Sequence, residues 1–401
     1  MRLKLILVLV FAFLMLQHTE AQDSLYLRGL ASFQQRNFSQ AVQSFTGVLK
    51  TSPKNIDALQ KRGEAFFGMG DFDEALFDFR SVNLTKNNFS SLWISKCYAE
   101  KGETAKALEA LADHLNSPYK LTKKKILLDP SFQRIENTRE WRSFWKKDWY
   151  KPYENEKAEA DFLIRQEKPN EAIEKLNVLL NQKDDDASLY FLRSKAYAQL
   201  RMFNKSMADL NLAVSKAPAE NLYREERIAL YMKMKRDEDA LKDYAEMMKA
   251  SPGDFELYLK RAGLLLKMHD YRYAMRDVNT YLGYFVEDKK ALYLGGRISY
   301  ESGDYYNAVK YFNRALKQDQ TKDIYFIARA DTYVKMHTWE YAVNDYSMAL
   351  DLNPDNSKVY LSRGIAHQKE NQNKKACYDF EKAFKMGEKK ALDYLQKYCG
   401  Y

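Results

Sequence analysis

Glycine and proline are scarce, at 15 and 8 of 401 residues, which leaves little material for a many-turned β fold. Histidine is scarcer still, and the five present (His18, His114, His269, His337, His367) show no metal-ligand spacing. No phosphate-binding Walker loop, dinucleotide glycine fingerprint, nucleophile elbow or zinc motif occurs. The stretch LGGR at 294–297 falls in a helical pattern with no strand before it, so it is a poor phosphate cradle. With no motif to organise a catalytic group, a cofactor or a metal, the chain reads as non-enzymatic. A formal charge of +9 is spread along the whole length without the concentrated stripe that nucleic-acid binding needs, and Lys123-Lys124-Lys125 reads as a solvated helix or turn face. Past the first residues no segment is long and apolar enough to cross a membrane.

What is present is 46% apolar residues and an abundance of alanine, leucine, lysine and glutamate, the composition of a folding, helical chain. Its length is too great for one ordinary core. The opening MRLK, the apolar run Leu5–Leu16 and the small residues Thr19 and Ala21 follow the layout of a secretory signal peptide cut after Ala21. An exported chain, periplasmic or secreted, is expected, with a eukaryotic secretory lumen as the alternative.

A small residue recurs at Ala172, Ser206, Ala240, Ala274, Ala308, Ala342 and Ala376, always 34 apart. Upstream it is Ala41, Ala75 and Ala107. Around each, two amphipathic stretches such as 323–336 and 339–352 predict a helical hairpin. Four residues on, an aromatic often follows on the same face: Phe45, Phe79, Tyr244, Phe312, Tyr346, Phe380. One hairpin cannot bury its apolar face alone, so copies must stack.

This pattern resembles the tetratricopeptide repeat family, through the alanine, the aromatic, a glycine in the first helix (Gly29, Gly63, Gly296, Gly364) and a closing proline (Pro53, Pro218, Pro252, Pro354). The resemblance implies an all-α, right-handed α-solenoid of about ten hairpins with a C-terminal capping helix. The expected organisation is a signal peptide (1–21), three hairpins (22–115), an irregular tryptophan-rich linker or degenerate hairpin (116–152), seven hairpins (153–390) and the cap (391–401). In such proteins first helices line a concave groove for a partner segment. Carried over position by position, that face is Phe191, Lys195, Lys267, Tyr293, Arg297, Tyr300, Ile327, Asp331, Lys335 and Lys369. Aromatic surface among cations suits an extended acidic or aromatic segment. The function expected is therefore a protein-binding scaffold of the cell envelope, with glycan or cell-wall binding by the groove aromatics as the alternative.

One departure from the family pattern carries its own information. Arginine stands at 62, 193, 227, 261, 329 and 363, and sixteen residues after each stands an aspartate: Asp78, Asp209, Asp243, Asp277, Asp345, Asp379. Glu159 and Lys175 swap the signs, Gly295 and Tyr311 drop both charges, and Arg28 faces Ser44. Such covariation within one chain predicts an ion pair between the helices of a hairpin. In the irregular segment, Trp141, Trp145 and Trp149 fall at i, i+4 and i+8, which predicts one face of a short helix capped by Asn137 or Thr138. Cys377 begins the last second helix and Cys399 ends the cap; an antiparallel arrangement would bring them together as a disulfide.

Overall fold

The structure, a computed structural model, describes residues 23–400, and all regular structure among them is helical. The expected signal peptide lies outside the described residues. Helix α1 spans residues 23–34. There follow α2 (Phe38–Thr51), α3 (Ile56–Met69), α4 (Phe72–Thr85), α5 (Ser91–Glu100), α6 (Thr104–Leu115), the short α7 (Lys123–Leu127) and α8 (Arg139–Phe144). Then come α9 (Pro152–Arg165), α10 (Pro169–Gln182), α11 (Ala187–Gln199), α12 (Phe203–Lys216), α13 (Asn221–Lys233), α14 (Asp237–Ala250), α15 (Glu256–Lys267) and α16 (Tyr271–Leu282). The chain ends with α17 (Lys289–Glu301), α18 (Tyr305–Gln318), α19 (Asp323–Lys335), α20 (Trp339–Leu352), α21 (Ser357–Lys369), α22 (Asn373–Lys385) and the cap α23 (Ala391–Tyr398). Two compact units divide the chain, Met1–Leu230 and Tyr231–Tyr401. The break in the repeat register lies at 116–152, and the division between compact units falls inside α13.

All ten hairpins turn the same way. Each has one residue at positive φ between its two helices, and only three of the ten are glycine: Gly70, Gly102 and Gly303. The other turns use Arg36, Glu167, Arg201, Lys235, His269, His337 and Asn371 at φ of 57–61°. His269 and His337 thus hold a backbone position that any polar residue fills at modest cost. Asn37, Asp270 and Asp304 then cap the following helix through their side chains, whereas Asp71 holds the cap position without a cap hydrogen bond.

The ten small residues of the repeat are at most 1% exposed. One turn on, Phe45, Phe79, Phe312 and Phe380 are likewise buried, and their rings lie against Gly29, Gly63, Gly296 and Gly364. A Cβ on those glycines would come within 2.4–2.7 Å of a ring carbon. Glycine is therefore a packing residue here: it yields the space that phenylalanine takes. Where the second-helix residue is smaller, as Leu176, Leu210 or Val278, the facing position holds Ala160, Ser194 or Ala262.

The charge pattern has the geometry its covariation predicts. In Arg62–Asp78, Arg193–Asp209, Arg261–Asp277, Arg329–Asp345 and Arg363–Asp379 the guanidinium donates through Nε and Nη2 to both carboxylate oxygens, at 2.6–2.8 Å. Lys175 donates to Glu159 at 2.8 Å with the signs exchanged. The aspartates are buried and the arginines partly so. Hydrogen bonding to the carboxylate holds the Arg193 and Arg261 guanidinium groups above their ordinary pKa. A second bond reaches the preceding hairpin: Nη1 donates from Arg62 to Thr46, Arg193 to Asn177, Arg227 to Asn211, Arg329 to Asn313 and Arg363 to Ser347. Where arginine is missing, the Tyr311 ring covers Gly295 and its hydroxyl donates to Asn279 at 2.9 Å. Arg62, Arg193, Arg329 and Arg363 thus tie their hairpins internally and to the one before, whereas Arg261, with Ala245 sixteen residues earlier, makes only the internal pair.

The tryptophan segment corrects the sequence expectation. Thr138 caps α8 as expected, accepting from the Trp141 N–H at 3.2 Å, but the helix ends at Phe144. Trp145 is its C-cap and Trp149 lies beyond it, so the three rings do not form one helical face. Lys151 precedes Pro152 and is held extended at ψ 155°, which stops a helix from running through. Trp141 packs on Phe132 and joins the core of α5 and α6, while Trp149 stacks on Phe144 with centroids 4.6 Å apart.

His114 fastens this segment. Its Nε2 accepts the Leu121 N–H at 3.0 Å in a buried site, and burial, with Lys96 nearby, pushes its pKa down to about 4. The fold therefore needs the neutral ring. The unfolded chain takes up the proton below about pH 6.5 and the folded chain resists it until about 4, so stability is full above pH 6.5 and falls as pH drops through that window. A loss of roughly 1 kcal/mol is expected at about pH 5.5. Urea titrations at several pH values check it; His114→Gln should remove this part of the acid dependence.

Candidate partner-binding site

Residues 1–230 contain a cavity of about 870 Å³, and its walls come from two kinds of sequence. One wall is the first-helix face of the repeat: Asn155, Ala158 and Asp161 of α9, Ser188, Phe191 and Leu192 of α11, and Leu222 and Tyr223 at the start of α13. The other is the irregular segment, with Leu121, Lys123, Lys124, Leu127 and Leu128 on and around α7. That segment is held by the Tyr150 hydroxyl donating to Leu121 O at 2.7 Å and by Lys120 pairing with Glu154 at 2.8 Å. Phe191 and Tyr223 pack ring on ring at 4.8 Å to make the floor.

Electrostatics sort the cations around it. Lys157 pairs with Asp186 at 2.9 Å and Arg165 with Asp161 at 3.0 Å. Burial alone would raise the Asp186 pKa, but hydrogen bonds from Ser188, Lys157 and Tyr153 outweigh it and hold it at about 2. Burial, aided by Glu220 and Asp186, pushes the Tyr223 phenol up to about 12, so it stays neutral and donates or accepts as a hydroxyl. Such a surface can bind and orient a segment.

Residues 231–401 contain a smaller cleft of about 170 Å³ between α17 and α19. It gathers five of the ten residues expected on the groove face, Tyr293, Arg297, Tyr300, Ile327 and Asp331, with Glu301 and Phe312 added. Asp331 has a structural partner as well, since the buried Tyr346 hydroxyl donates to it; burial raises its pKa against that bond. The remaining four lie outside both hollows. Lys195 stands over the Phe191 ring at 5.6 Å, Lys267 pairs with Asp237 at 2.9 Å, and Lys335 and Lys369 are exposed near helix ends. Sequence reasoning missed the α7 wall altogether, because nothing periodic marks it.

Two other features complete the placement. Cys377 and Cys399 are joined, with Cα atoms 5.7 Å apart, which ties α23 to the start of α22. Cys97 is buried and free, and burial pushes its thiol up to about 12. Among the described residues no group of His, Cys, Asp and Glu could hold a metal ion, and no helix is long and apolar enough to cross a membrane.

Residues 20–81 and 259–323 match the family model of the tetratricopeptide repeat. Those two stretches carry tetratricopeptide repeats. Human tetratricopeptide repeat protein 16 is 21% identical over 404 residues, covering 93% of this chain and 44% of the relative. The Hsp70-Hsp90 organizing protein of wheat is 23% identical over 241 residues, 57% of this chain and 41% of its own. The chain thus spans less than half the length of these relatives. Among solved structures, the C-terminal part of a tetratricopeptide repeat-containing protein from Cytophaga hutchinsonii superposes with a TM-score of 0.52 at 18% identity, over 59% of this chain and 98% of that one, which shows the shared fold.

Proposed function

We propose that this tetratricopeptide chain is an exported, non-catalytic scaffold of the cell envelope that holds a segment of a partner protein against its first helices. The observation that carries the reading is the cavity on the faces of α9 and α11, whose apolar floor is left open between charged walls. Packing there supplies affinity, and the cations fix direction. The wheat relative, named for organising two other proteins, supports the class of activity. The opening apolar run supports export.

Two measurements test it. The chain isolated from its native envelope should begin at Gln22 and co-purify in fixed ratio with a protein; a chain retained in the cytosol with its first 21 residues removes the envelope from the proposal. Retention on purified polysaccharide, with no stoichiometric protein, would replace partner binding by glycan binding.

A further inference from the structure

The cavity in residues 1–230 has features that specify its occupant beyond a generic partner segment. Leu127, Leu128 and Leu222 are 42%, 71% and 47% exposed, and all three line the same hollow. Single exposed leucines are ordinary on a protein surface, but three around one concavity whose floor is Phe191 and Tyr223 form an apolar seat. Leu127 ends α7 and Leu128 is its C-cap, and α7 departs from the 34-residue repeat, so the seat exists only because the irregular segment folds against the hairpins.

Charge then distinguishes the two sides. Lys120, Lys157 and Arg165 are matched by carboxylates of the chain itself. Lys123 and Lys124 are not: among the described residues neither makes an ion pair, and the Lys123 ammonium stands 5.3 Å from the Trp145 ring centroid. On the α13 side the carboxylate lining the hollow is Glu220, which accepts only the Leu222 N–H at 3.4 Å. The rim therefore carries uncompensated positive charge at α7 and an uncompensated carboxylate at α13.

We infer that the cavity between α7 and the first helices of residues 1–230 takes an amphipathic segment of a partner protein, inserting leucine- or phenylalanine-type anchors with an acidic residue beside them facing Lys123 and Lys124. This rests on the scaffold reading above and names the chemistry of its partner. A segment with anchors on one face fits the leucine seat, as apolar helix faces fit grooves elsewhere. Carboxylates beside the anchors meet the two free lysines, while Glu220 disfavours acidity at the other end and so sets direction. A lipid surface fits less well, because a flat anionic bilayer meets the carboxylate at the same rim and cannot fill a recess.

A displayed library of random peptides, selected against the full chain, tests the assignment. Enriched peptides should pair leucine or phenylalanine with aspartate or glutamate. A synthetic copy of the best one should bind Leu128→Asp at least about ten-fold more weakly. The double variant Lys123→Glu with Lys124→Glu should bind it as poorly and should itself select lysine or arginine beside the anchor. All three positions are exposed, and circular dichroism would verify that the variants stay folded. Enriched peptides without an acidic residue would overturn the charge assignment. Peptides that bind Leu128→Asp normally but lose affinity with Arg297→Glu would overturn the cavity while leaving the scaffold reading intact. No enrichment with any form of the chain would sink both. Lysine-dependent retention on phosphatidylserine vesicles in place of peptide binding would make the site a membrane contact.

Discussion

Replacing Arg329 with alanine should cost roughly 3–5 kcal/mol, the range for leaving one partner of a buried pair alone. The arginine makes three bonds: two to Asp345 at 2.6 and 2.7 Å and one to Asn313 at 2.6 Å. Asp345 is 5% exposed, so after the substitution its carboxylate must stay charged without a partner, take up a proton or draw in water. Each outcome is costly. Removing both members, Arg329→Ala with Asp345→Ala, should recover most of the loss, because no charge is then stranded. The preceding unit makes the same point, since Gly295 and Tyr311 drop both charges and the position stays packed. Urea unfolding measures the effect, and amide exchange in α19 and α20 locates it. Peptide binding at the cavity beside α7 should survive wherever the chain stays folded. Equal stability of variant and parent would mean that the pairs are idle.

Gly296→Ala should destabilise by about 1–3 kcal/mol through overpacking. The added methyl would sit 2.4 Å from a ring carbon of Phe312, which is itself 1% exposed. The cost belongs to this pair and not to helix propensity, which favours alanine over glycine. A second change discriminates: Phe312→Leu combined with Gly296→Ala reproduces the Ala160–Leu176 combination already present in the chain. The double variant should be clearly more stable than the sum of its two single changes implies, and a thermal melt of the four proteins closes the cycle. Strict additivity would show that the ring and the glycine do not compete for space.

Much of this architecture is legible because its cause is periodic. The small residue, the aromatic one turn later and the opposite charges sixteen apart all follow from hairpins burying one face against the next. The tie from five of the six arginines to the preceding hairpin was equally present, as Thr46, Asn177, Asn211, Asn313 and Ser347 sixteen residues before them, with Ala245 before Arg261 the exception. A polar residue on a helix has too many ordinary explanations for that spacing to stand out unaided. The exchange of glycine for phenylalanine bulk emerges only when two positions are compared by volume instead of by class.

Where the period lapses, the sequence misleads. Trp141, Trp145 and Trp149 keep helical spacing, yet α8 stops at Phe144, because spacing records which residues could share a face and not where hydrogen bonding ends. The larger cavity was hidden for a related reason: one wall comes from repeats, the other from a segment with no register. Of the ten residues carried over from the family, the cleft in residues 231–401 collects five, all on the neighbouring first helices α17 and α19. Lys267, by contrast, is tied to Asp237, a partner that depends on the neighbouring hairpin and not on its own helix.

The arginine bonds also set the arithmetic by which this chain can change length. Arg363 reaches forward sixteen residues to Asp379 and back sixteen to Ser347. Excising 314–347 would bring Asn313 into the place of Ser347, and the asparagine would meet the same guanidinium. A cut that is not a whole number of 34-residue repeats would strand one end of the bridge. Copies can thus be gained or lost as whole modules wherever a polar side chain stands sixteen residues before the arginine, and the hydrogen bonds themselves act as the ruler.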